Sequence, residues 1–373
     1  MLGNSIGKGL MMKIVTVVGA RPQFIKAAAV SRVLRREQEE ILVHTGQHYD
    51  SNMSDIFFEE LQIPRPDYNL GVGSGSHAKQ TAAMMVGIEE ILLKEKPDYL
   101  MVYGDTNSTL AGTIAASKIL IPIIHVEAGL RSFNMAMPEE QNRILTDRIS
   151  RFLFCPTDVA VNHLKDEGIT RGVYNVGDVM CDAVLHYSRE MEKNPPAYYF
   201  GRLRGLFGPV EPVERWYLAT VHRAENTDSL EKIRNVLDAF EQLDAPVLFP
   251  VHPRTKGMVR ELCTTHGYRN IRFVEPIGYL DMLYFTKNAV KAVTDSGGLQ
   301  KEAYILSTPC VTVRDQTEWV ETLNGGHNIL AKPETQDILD KVLHTPIDKG
   351  THPPYYGNGK AAEKIVEVLA AGE

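Results

Sequence analysis

KIVTVVGARPQFIKAAAVSRVLRREQEEILVHTG (13–46) contains two short apolar runs separated by a segment with helical spacing. The runs at 13–20 and 40–46 have the length of buried strands, and 25–38 has the spacing of an amphipathic helix. A strand, a helix and a second strand in this order predict a βαβ unit with parallel strands. Residues 13–46 therefore predict an α/β fold built on a mostly parallel sheet, covered by helices on both faces.

The alternation continues along the chain, with one interruption. Residues 188–212 are rich in Pro and Gly, and a second α/β series begins after them. At about 100–200 residues per domain, 373 residues also suggest two domains. We therefore predict doubly wound domains at 13–187 and 213–358, joined by a linker or crossover at 188–212. The final helix, 359–372, would pack on either domain and is assigned provisionally to the first.

Composition narrows the functional classes. The formal net charge of −7 leaves no basic footprint for nucleic acid, and no apolar run approaches the ~18–20 residues of a membrane span. Four scattered cysteines form no CxxC pair, so neither a zinc ribbon nor a disulfide framework is indicated. We predict a cytoplasmic protein without membrane insertion or a metal site, in which Met11 or Met12 begins the folded part.

TDSGGLQKEA (294–303) places two adjacent glycines where a strand gives way to a helix. Ser296 stands at the expected N-cap of that helix. Gly297 and Gly298 would let an anion reach the free backbone N–H groups and the positive end of the helix dipole, and phosphate is the obvious candidate. The alternative is an ordinary turn in which glycine only relieves backbone strain.

A second candidate anion site follows the first strand. Gly19 turns the chain, Pro22 suits the first helical position and Arg21 projects from the loop. The dinucleotide fingerprint G-x-G-x-x-G is absent here, which disfavours hydride chemistry on NAD. Arg21 could equally be a surface cap or a salt-bridge partner.

Carboxylates follow two further strands of the first domain. Asp105 ends one strand, where it could cap the next helix or act as an acid/base group. Glu127 lies inside an apolar run, and a buried carboxylate must be paired or protonated. It could form a structural pair with Arg131, or its pKa could be tuned for proton transfer. Glu139 and Glu140 occupy a predicted first helical turn, where the helix dipole alone would favour them.

The second domain offers histidine and arginine at strand ends instead. These are His222 with Arg223, and His252 with Arg254. Such pairs suit a phosphate, although capping would look the same in sequence. Carboxylates in one domain and anion-binding groups in the other predict a sugar nucleotide in an interdomain cleft, with the chemistry carried out on the sugar.

Motifs in the correct order along the chain resemble the non-hydrolysing UDP-N-acetylglucosamine 2-epimerases. They are GARPQFIK, HTGQHYD, YGDTNSTLAG, HVEAGLRSFNMAMPEEQNRILTDR, TVHRAEN, PVHPRT and TDSGGLQKEAYILSTPCVTVRDQTEWVE. The resemblance implies the glycosyltransferase-B architecture of two Rossmann-like domains, a homodimer, and a reaction without redox cofactor or metal. In that reaction UDP is eliminated to give a 2-acetamidoglucal and is then added back, and protonation on the opposite face of C2 requires a second proton route.

The resemblance also implies roles for individual residues. Asp105, Glu127 and Glu139 would be the acid/base carboxylates, and His222 would assist the departing UDP. Glu302 would hold the ribose hydroxyls. The remaining predicted substrate-binding residues are Arg21, Lys26, Arg143, Arg223, His252, Ser296, Gly297 and Gly298. Gln47 and His48 in the segment GQHYD would belong to a second, substrate-activated site.

The resemblance leaves the substrate open. Many members that act on plain UDP-N-acetylglucosamine have GTRPEAIK where this chain has GARPQFIK (19–26). That change resembles the branch that epimerises UDP-2,3-diacetamido-2,3-dideoxyglucuronate, which is kept as the alternative substrate. Other classes also remain: a UDP-sugar glycosyltransferase, which would need an acceptor pocket; a hydrolysing epimerase; and a non-enzymatic UDP-sugar sensor, which would not need the three carboxylates.

Overall fold

The computed structural model describes residues 11–46, 61, 63–344 and 353–372, with the backbone alone for Arg21. These residues form two compact units. Unit 1 contains the described residues up to Ala183 together with those from Tyr355 onwards, and unit 2 is Val184–Pro354. Each unit has its own sheet and its own hydrophobic core.

Unit 1 is built on a seven-stranded sheet in its described part. The strands are β1 (Lys13–Val18), β2 (Glu39–His44), β3 (Tyr68–Asn69), β4 (Tyr99–Tyr103), β5 (Ile123–Val126), β6 (Phe152–Cys155) and β7 (Val173–Asn175). The helices between them are α1 (Arg21–Leu34), α2 (His77–Glu95), α3 (Asn107–Lys118), α4 (Pro138–Ile149) and α5 (Asp158–Asp166). Helix α6 (Val179–Met191) begins in unit 1 and continues into unit 2.

The strand order in unit 1 is β3-β2-β1-β4-β5-β6-β7, and every neighbouring pair is parallel. From β1 the chain adds β2 and β3 on one side and then β4 to β7 on the other, and this change in the order of the strands makes the sheet doubly wound. The central strands are apolar along almost their whole length because both faces of such a sheet are covered by helices.

Unit 2 repeats this organisation with six strands. They are β8 (Tyr217–Thr220), β9 (Val247–Pro250), β10 (Ile271–Val274), β11 (Ala292–Thr294), β12 (Cys310–Val313) and β13 (Asn328–Ala331). The helices are α7 (Pro196–Arg202), α8 (Ala224–Thr227), α9 (Leu230–Glu241), α10 (Pro253–Thr265), α11 (Tyr279–Asn288), α12 (Gly297–Ile305) and α13 (Thr335–Leu343), with a 3₁₀ segment at Val320–Gly326. The order is β10-β9-β8-β11-β12-β13, again with all neighbours parallel. The two Rossmann-like doubly wound sheets predicted from the sequence are confirmed.

Sheet order determines which loops come together. In unit 1, β1, β4 and β5 are adjacent, so the loops that follow them share one edge. In unit 2 the adjacent strands are β9, β8, β11 and β12. Because ligands bind at the carboxyl ends of the strands in such sheets, these two groups of loops are where functional side chains should be sought.

The last helix, α14 (Ala361–Ala371), belongs to unit 1 and packs against α1. Asp182 in α6 accepts hydrogen bonds from the backbone N–H groups of Ala361 (3.0 Å) and Ala362 (2.8 Å). A carboxylate at this position satisfies two amides that have no partner within the helix and favours the positive end of its dipole. One side chain therefore fixes the start of α14.

Replacing Asp182 with Ala is expected to lower the free energy of unfolding by about 1–2 kcal/mol, because two buried amides lose their acceptor. Urea denaturation followed by circular dichroism measures the change. Glu363→Ala is the matched control, since Glu363 is acidic, lies in the same first turn and is exposed. A similar loss of stability in both variants would contradict the capping role of Asp182.

Candidate active site

Glu127 and Lys26 form a buried ion pair at the carboxyl edge of the unit 1 sheet. Lys26 is supplied by α1, and Glu127 directly follows β5 with a positive φ of 73°. That backbone conformation is unusual for a residue with a side chain, and such strain is characteristic of functional sites. The N–H groups of Glu127 and Ala128 both donate to the carbonyl of Phe154 (3.0 Å each), which holds the strained turn in place.

The predicted alternative, a structural pair between Glu127 and Arg131, is wrong. Arg131 instead contacts Asp147 (Nη1 to Oδ2, 2.7 Å) and Glu167 (Nε to Oε1, 2.6 Å). These two carboxylates are supplied by α4 and by the end of α5, so Arg131 ties together the elements behind the strand. The carboxylate of Glu127 pairs with Lys26 instead.

Gly104 brings the loop after β4 against this ion pair. Its φ is 61°, and a Cβ added to it would lie 3.1 Å from Oε2 of Glu127 and 3.4 Å from Nζ of Lys26. A side chain at residue 104 would therefore be too close to both the carboxylate and the ammonium group. The small residue lets the backbone beside Asp105 approach Glu127 closely.

His125 holds the same loop from inside the sheet. Its Nε2 lies 2.8 Å from the carbonyl oxygen of Gly104 and its Nδ1 lies 2.7 Å from Oδ1 of Asp147. The two ring nitrogens of His125 thus connect the β4 loop to Asp147 in α4, and the Asp147 carboxylate also accepts from Arg131.

Asp105 is held by Arg143, another predicted site residue. Nη2 of Arg143 lies 2.5 Å from Oδ2 of Asp105, and Nη1 lies 2.8 Å from Oε2 of Glu140. Asn142 donates to the backbone carbonyl of Asp105 (2.8 Å). Helix α4 thus positions Asp105 through both its side chain and its backbone.

Glu139 differs from its neighbour Glu140, although both stand in the first turn of α4. Glu140 is buried and accepts from the N–H groups of Ser132 and Phe133 as well as from Arg143. The side chain of Glu139 is exposed and has no hydrogen-bond or ion-pair partner among the described residues. Of the two, Glu139 is the carboxylate available to a ligand.

Gln23 joins the first loop to the β4 loop and was not predicted. Its Oε1 accepts from the N–H groups of Gly19 and Ala20, and its Nε2 donates to the carbonyl of Tyr103 (2.7 Å) and to the hydroxyl of Thr109 (3.0 Å). A glutamine directly after Pro22, in the first turn of a helix that follows a strand, is the sequence signal that could have identified it.

In unit 2, the buried carboxylate of Asp295 organises the loop after β8. It accepts from the backbone N–H groups of His222 (3.0 Å) and Arg223 (2.9 Å) and from Nδ2 of Asn226 (3.0 Å). These three hydrogen bonds fix the backbone of the loop and thereby the positions of the predicted residues His222 and Arg223. Neither Asp295 nor Asn226 was predicted, and Asp295 directly precedes the predicted Ser296.

The imidazole of His222 stacks on that of His252, with ring centroids 5.1 Å apart. Burial lowers the pKa of His222; Asp295 opposes the change, and Arg223 and Arg254 add to it. His222 is therefore neutral at pH 7 and can donate one proton or accept one. His252 caps α10 by accepting from the N–H of Arg254 (3.2 Å), so the capping alternative holds for His252.

The glycine-rich helix start forms as predicted. Ser296 is the N-cap of α12, and its hydroxyl accepts from the N–H of Leu299. A Cβ added to Gly297 would lie 2.5 Å from Oε1 of Glu318, whereas one on Gly298 would meet its nearest atom, Oγ of Ser296, at 3.8 Å. The backbone at Gly298 is thus exposed and has open space beside it, whereas a carboxylate already lies beside Gly297.

Glu302 lies in α12 and is almost fully buried. Burial raises its pKa to about 7, although the ammonium of Lys301 and a hydrogen bond from Tyr279 both lower it. Lys301 is itself buried, with its Nζ 3.9 Å from the ring centroid of Trp319. The carboxyl of Glu302 therefore changes its charge near neutral pH.

Some predicted residues are not described. Gln47 and His48 lie outside the described residues, as does the side chain of Arg21, whose backbone starts α1. Within the described ranges, no three His, Cys, Asp or Glu side chains come together as metal ligands. None of the described helices combines the length and apolar character that crossing a bilayer requires.

Comparison with known proteins identifies the family. The family described as UDP-N-acetylglucosamine 2-epimerase matches residues 32–370. A Methanococcus maripaludis UDP-N-acetylglucosamine 2-epimerase homolog is 52% identical (96% of this chain, 99% of the relative), and a Pseudomonas aeruginosa UDP-2,3-diacetamido-2,3-dideoxy-D-glucuronate 2-epimerase is 46% identical over the same shares.

A solved structure gives the same result for the fold. The Methanocaldococcus jannaschii UDP-GlcNAc 2-epimerase in complex with UDP-GlcNAc and UDP is 42% identical, with a TM-score of 0.86 over 97% of this chain and 100% of that one. The predicted fold class, two Rossmann-like domains of the glycosyltransferase-B type, is confirmed. Because the family match and these relatives extend over nearly the whole length, the chain belongs to the UDP-N-acetylglucosamine 2-epimerase family of isomerases.

Proposed function

We propose that this protein is a non-hydrolysing epimerase that interconverts UDP-N-acetylglucosamine and UDP-N-acetylmannosamine. The observation that supports it best is the buried Lys26–Glu127 pair at a strained strand end, next to Asp105. A cap or a structural pair would not require a carboxylate in this conformation. A solved relative in complex with UDP-GlcNAc and UDP supports the same substrate.

The reaction needs two proton routes. In elimination a base removes the proton from C2, the C1–O bond to UDP breaks, and the electron pair forms the C1–C2 double bond of the 2-acetamidoglucal. In the addition step that follows, a proton arrives on the opposite face of C2 and UDP returns to C1. We assign the two faces to the carboxylates of Asp105, Glu127 and Glu139, since one group cannot serve both faces of a bound ring without a large movement.

Lys26 and Arg143 would position these groups. Lys26 pairs with Glu127, and Arg143 pairs with Asp105. Each cation would thus hold one carboxylate in a fixed orientation, as proton transfer at C2 requires.

The leaving UDP would be stabilised by unit 2. The backbone N–H groups at Gly297 and Gly298, with Ser296, would bind the diphosphate at the N-terminus of α12, and Arg223 would add a guanidinium. His222, neutral at pH 7, would assist the departing phosphate oxygen. Preorganised donors that meet developing charge are usually the largest contribution to catalysis, and the weakly acidic C2 proton makes them necessary here.

Proton NMR of the purified protein with UDP-N-acetylglucosamine in D2O tests the proposal. We expect signals of UDP-N-acetylmannosamine with deuterium at C2. Free N-acetylmannosamine would indicate a hydrolysing epimerase instead, and sugar transfer only after addition of an acceptor would indicate a glycosyltransferase. UDP-sugar binding without turnover would indicate a sensor.

A second substrate has a specific observation in its favour. The Pseudomonas aeruginosa diacetamido-glucuronate epimerase is 46% identical to this chain, slightly more than the 43% of the Methanocaldococcus jannaschii UDP-N-acetylglucosamine epimerase. If UDP-N-acetylglucosamine gives no exchange at C2, UDP-2,3-diacetamido-2,3-dideoxyglucuronate is the substrate to assay next. If both compounds exchange, competition between them ranks them by kcat/KM.

The burial of Glu302 predicts that the stability of the protein depends on pH. A carboxyl whose pKa rises from 4.5 to about 7 on folding stabilises the fold fully below pH 4.5, and this contribution is lost as the pH rises through 7. The advantage of Glu302→Gln over the wild type in unfolding free energy should therefore grow by about 2 kcal/mol between pH 5 and pH 8. Denaturant unfolding at both values measures it.

The same residue predicts proton release. Ribose hydroxyls donate to the carboxylate form, so UDP binding near pH 7 should release protons from Glu302, and Glu302→Gln should bind UDP more weakly without releasing them. Calorimetry in buffers with different ionisation enthalpies measures the released protons. Equal UDP affinity in both proteins would remove the ribose contact from the proposal.

We also propose a homodimer. Exposed apolar pairs lie on single faces of two helices in unit 1: Val86 and Leu93 on α2, and Leu145 and Ile149 on α4. Light scattering during gel filtration would give the mass of the assembly, and a mass near the 41.7 kDa of one chain would contradict the proposal. The predicted cytoplasmic location stays a prediction.

A further inference from the structure

The carboxylate of Glu318 lies at the N-terminus of α12, beside the first glycine of the helix. A Cβ added to Gly297 would lie only 2.5 Å from Oε1 of Glu318, and 3.3 Å from Nε1 of Trp319 and 3.5 Å from Nη2 of Arg223. The carboxylate of Glu318 therefore occupies the space that a side chain at Gly297 would need.

Two arginines hold that carboxylate. Nη1 of Arg314 lies 2.8 Å from Oε2 of Glu318, and Nη2 of Arg223 lies 3.4 Å from Oε1. Although burial raises it, the pKa of Glu318 is lowered below its ordinary value by Arg314 and Arg223, so the group is ionised at neutral pH. Two guanidinium groups beside a helix N-terminus form an arrangement that normally binds phosphate. Here they hold the carboxylate of Glu318.

Arg314 has an unused donor at this position. It is only 6% exposed, and its Nε has no hydrogen-bond partner among the described residues. A buried N–H without an acceptor is costly, at about 1–3 kcal/mol. Glu318 therefore satisfies the arginine only in part, and an anion with more acceptor oxygens would satisfy it better.

The segment that carries Glu318 is anchored on both sides. Thr317 donates to Oε1 of the buried Gln300 in α12 (2.7 Å), and the N–H of Trp319 donates to the hydroxyl of Thr317 (3.1 Å). The backbone around residue 318 is thus fixed to the same helix whose N-terminus the carboxylate faces. A rotation of the Glu318 side chain alone would clear the helix end.

We propose that Glu318 is an internal anion that occupies the diphosphate position in the nucleotide-free protein and is displaced when the diphosphate binds. The inference rests on the proposed function. On displacement, Arg223 and the free donor of Arg314 pass to the phosphate oxygens, and no covalent step is involved. Arg314 thereby becomes a diphosphate ligand, and Glu318 lowers the affinity for every ligand that carries a diphosphate.

Calorimetric titration of UDP into wild type and Glu318→Gln tests this. The amide keeps the shape of the side chain but removes the charge that competes with the diphosphate, so UDP should bind about 10-fold more tightly, while uridine affinity should not change. Glu275→Gln is the control, because Glu275 is also paired with a cation in unit 2, Lys256. It should bind UDP like the wild type.

A second variant covers the case in which Glu318→Gln does not fold. Arg314→Met should bind UDP at least 10-fold more weakly, again without a change for uridine. Unchanged or weaker UDP binding by folded Glu318→Gln, or unchanged binding by Arg314→Met, would overturn the inference. A wild type that binds no UDP would instead overturn the proposed function.

Discussion

Glu127→Gln is expected to lower kcat by about three orders of magnitude, the middle of the range for removal of a general acid or base. The amide can neither remove nor deliver the C2 proton, and Lys26 beside it loses the charge it pairs with. NMR in D2O should show the loss of epimerisation and of deuterium incorporation at C2 together. Binding of UDP, which we assign to unit 2, should be retained.

This variant needs a stability check. Removing one partner of a buried ion pair destabilises a protein by about 3–5 kcal/mol, so turnover must be measured well below the melting temperature. Glu95→Gln is the matched control, since Glu95 also pairs with a lysine of unit 1, Lys13, at the opposite end of β4. If Glu127→Gln turned over substrate like Glu95→Gln, the acid/base role of Glu127 would be wrong.

The second large effect is expected from Gly298→Ala. In the free protein the new methyl group would have its nearest neighbour, Oγ of Ser296, at 3.8 Å, which is ordinary contact. Alanine also favours a helix over glycine by up to ~1 kcal/mol, so stability should be unchanged or slightly higher. A diphosphate that must touch the backbone at Gly298 would collide with the methyl group, and UDP affinity should fall roughly 100-fold as charge-assisted hydrogen bonds are lost.

Gly257→Ala is the control for this substitution. Gly257 lies in α10 with no atom within 4 Å of an added Cβ, so it should gain helix stability in the same way without any change in UDP binding. Gly297→Ala is less informative, because its methyl group would already meet Glu318. Unchanged UDP affinity in Gly298→Ala would place the diphosphate elsewhere.

Local patterns predicted the fold well and most of the strand ends. The period of the apolar residues identified β1, α1 and β2, and the position of Ser296 before two glycines identified the start of α12. The strand predicted before TDSGGLQKEA is short: only Ala292–Thr294 is strand, and the residues up to Asn288 complete α11. Its start could not be read from the sequence, because a short buried helix and a buried strand are both apolar.

Partners distant in sequence could not be predicted. Lys26 meets Glu127 across 101 positions, and Asp295 meets His222 across 73, so no local spacing connects them. The nearby Arg131 was the obvious partner for Glu127, but the strained turn after β5 sends the two side chains in different directions. Glu318 was not predicted, because an acidic residue in a polar loop is common. Only the structure shows that it lies beside Gly297, where there is no side chain.

The placement of α14 bears on how the chain folds. Since unit 2 is one continuous segment and unit 1 is closed by the final helix, unit 2 is an insertion within unit 1. During synthesis from the N-terminus, the whole of Val184–Pro354 leaves the ribosome before α1 can receive α14. The part made first is therefore completed last, and in a chain truncated after Pro354 unit 2 should still resist proteolysis while α1 is uncovered.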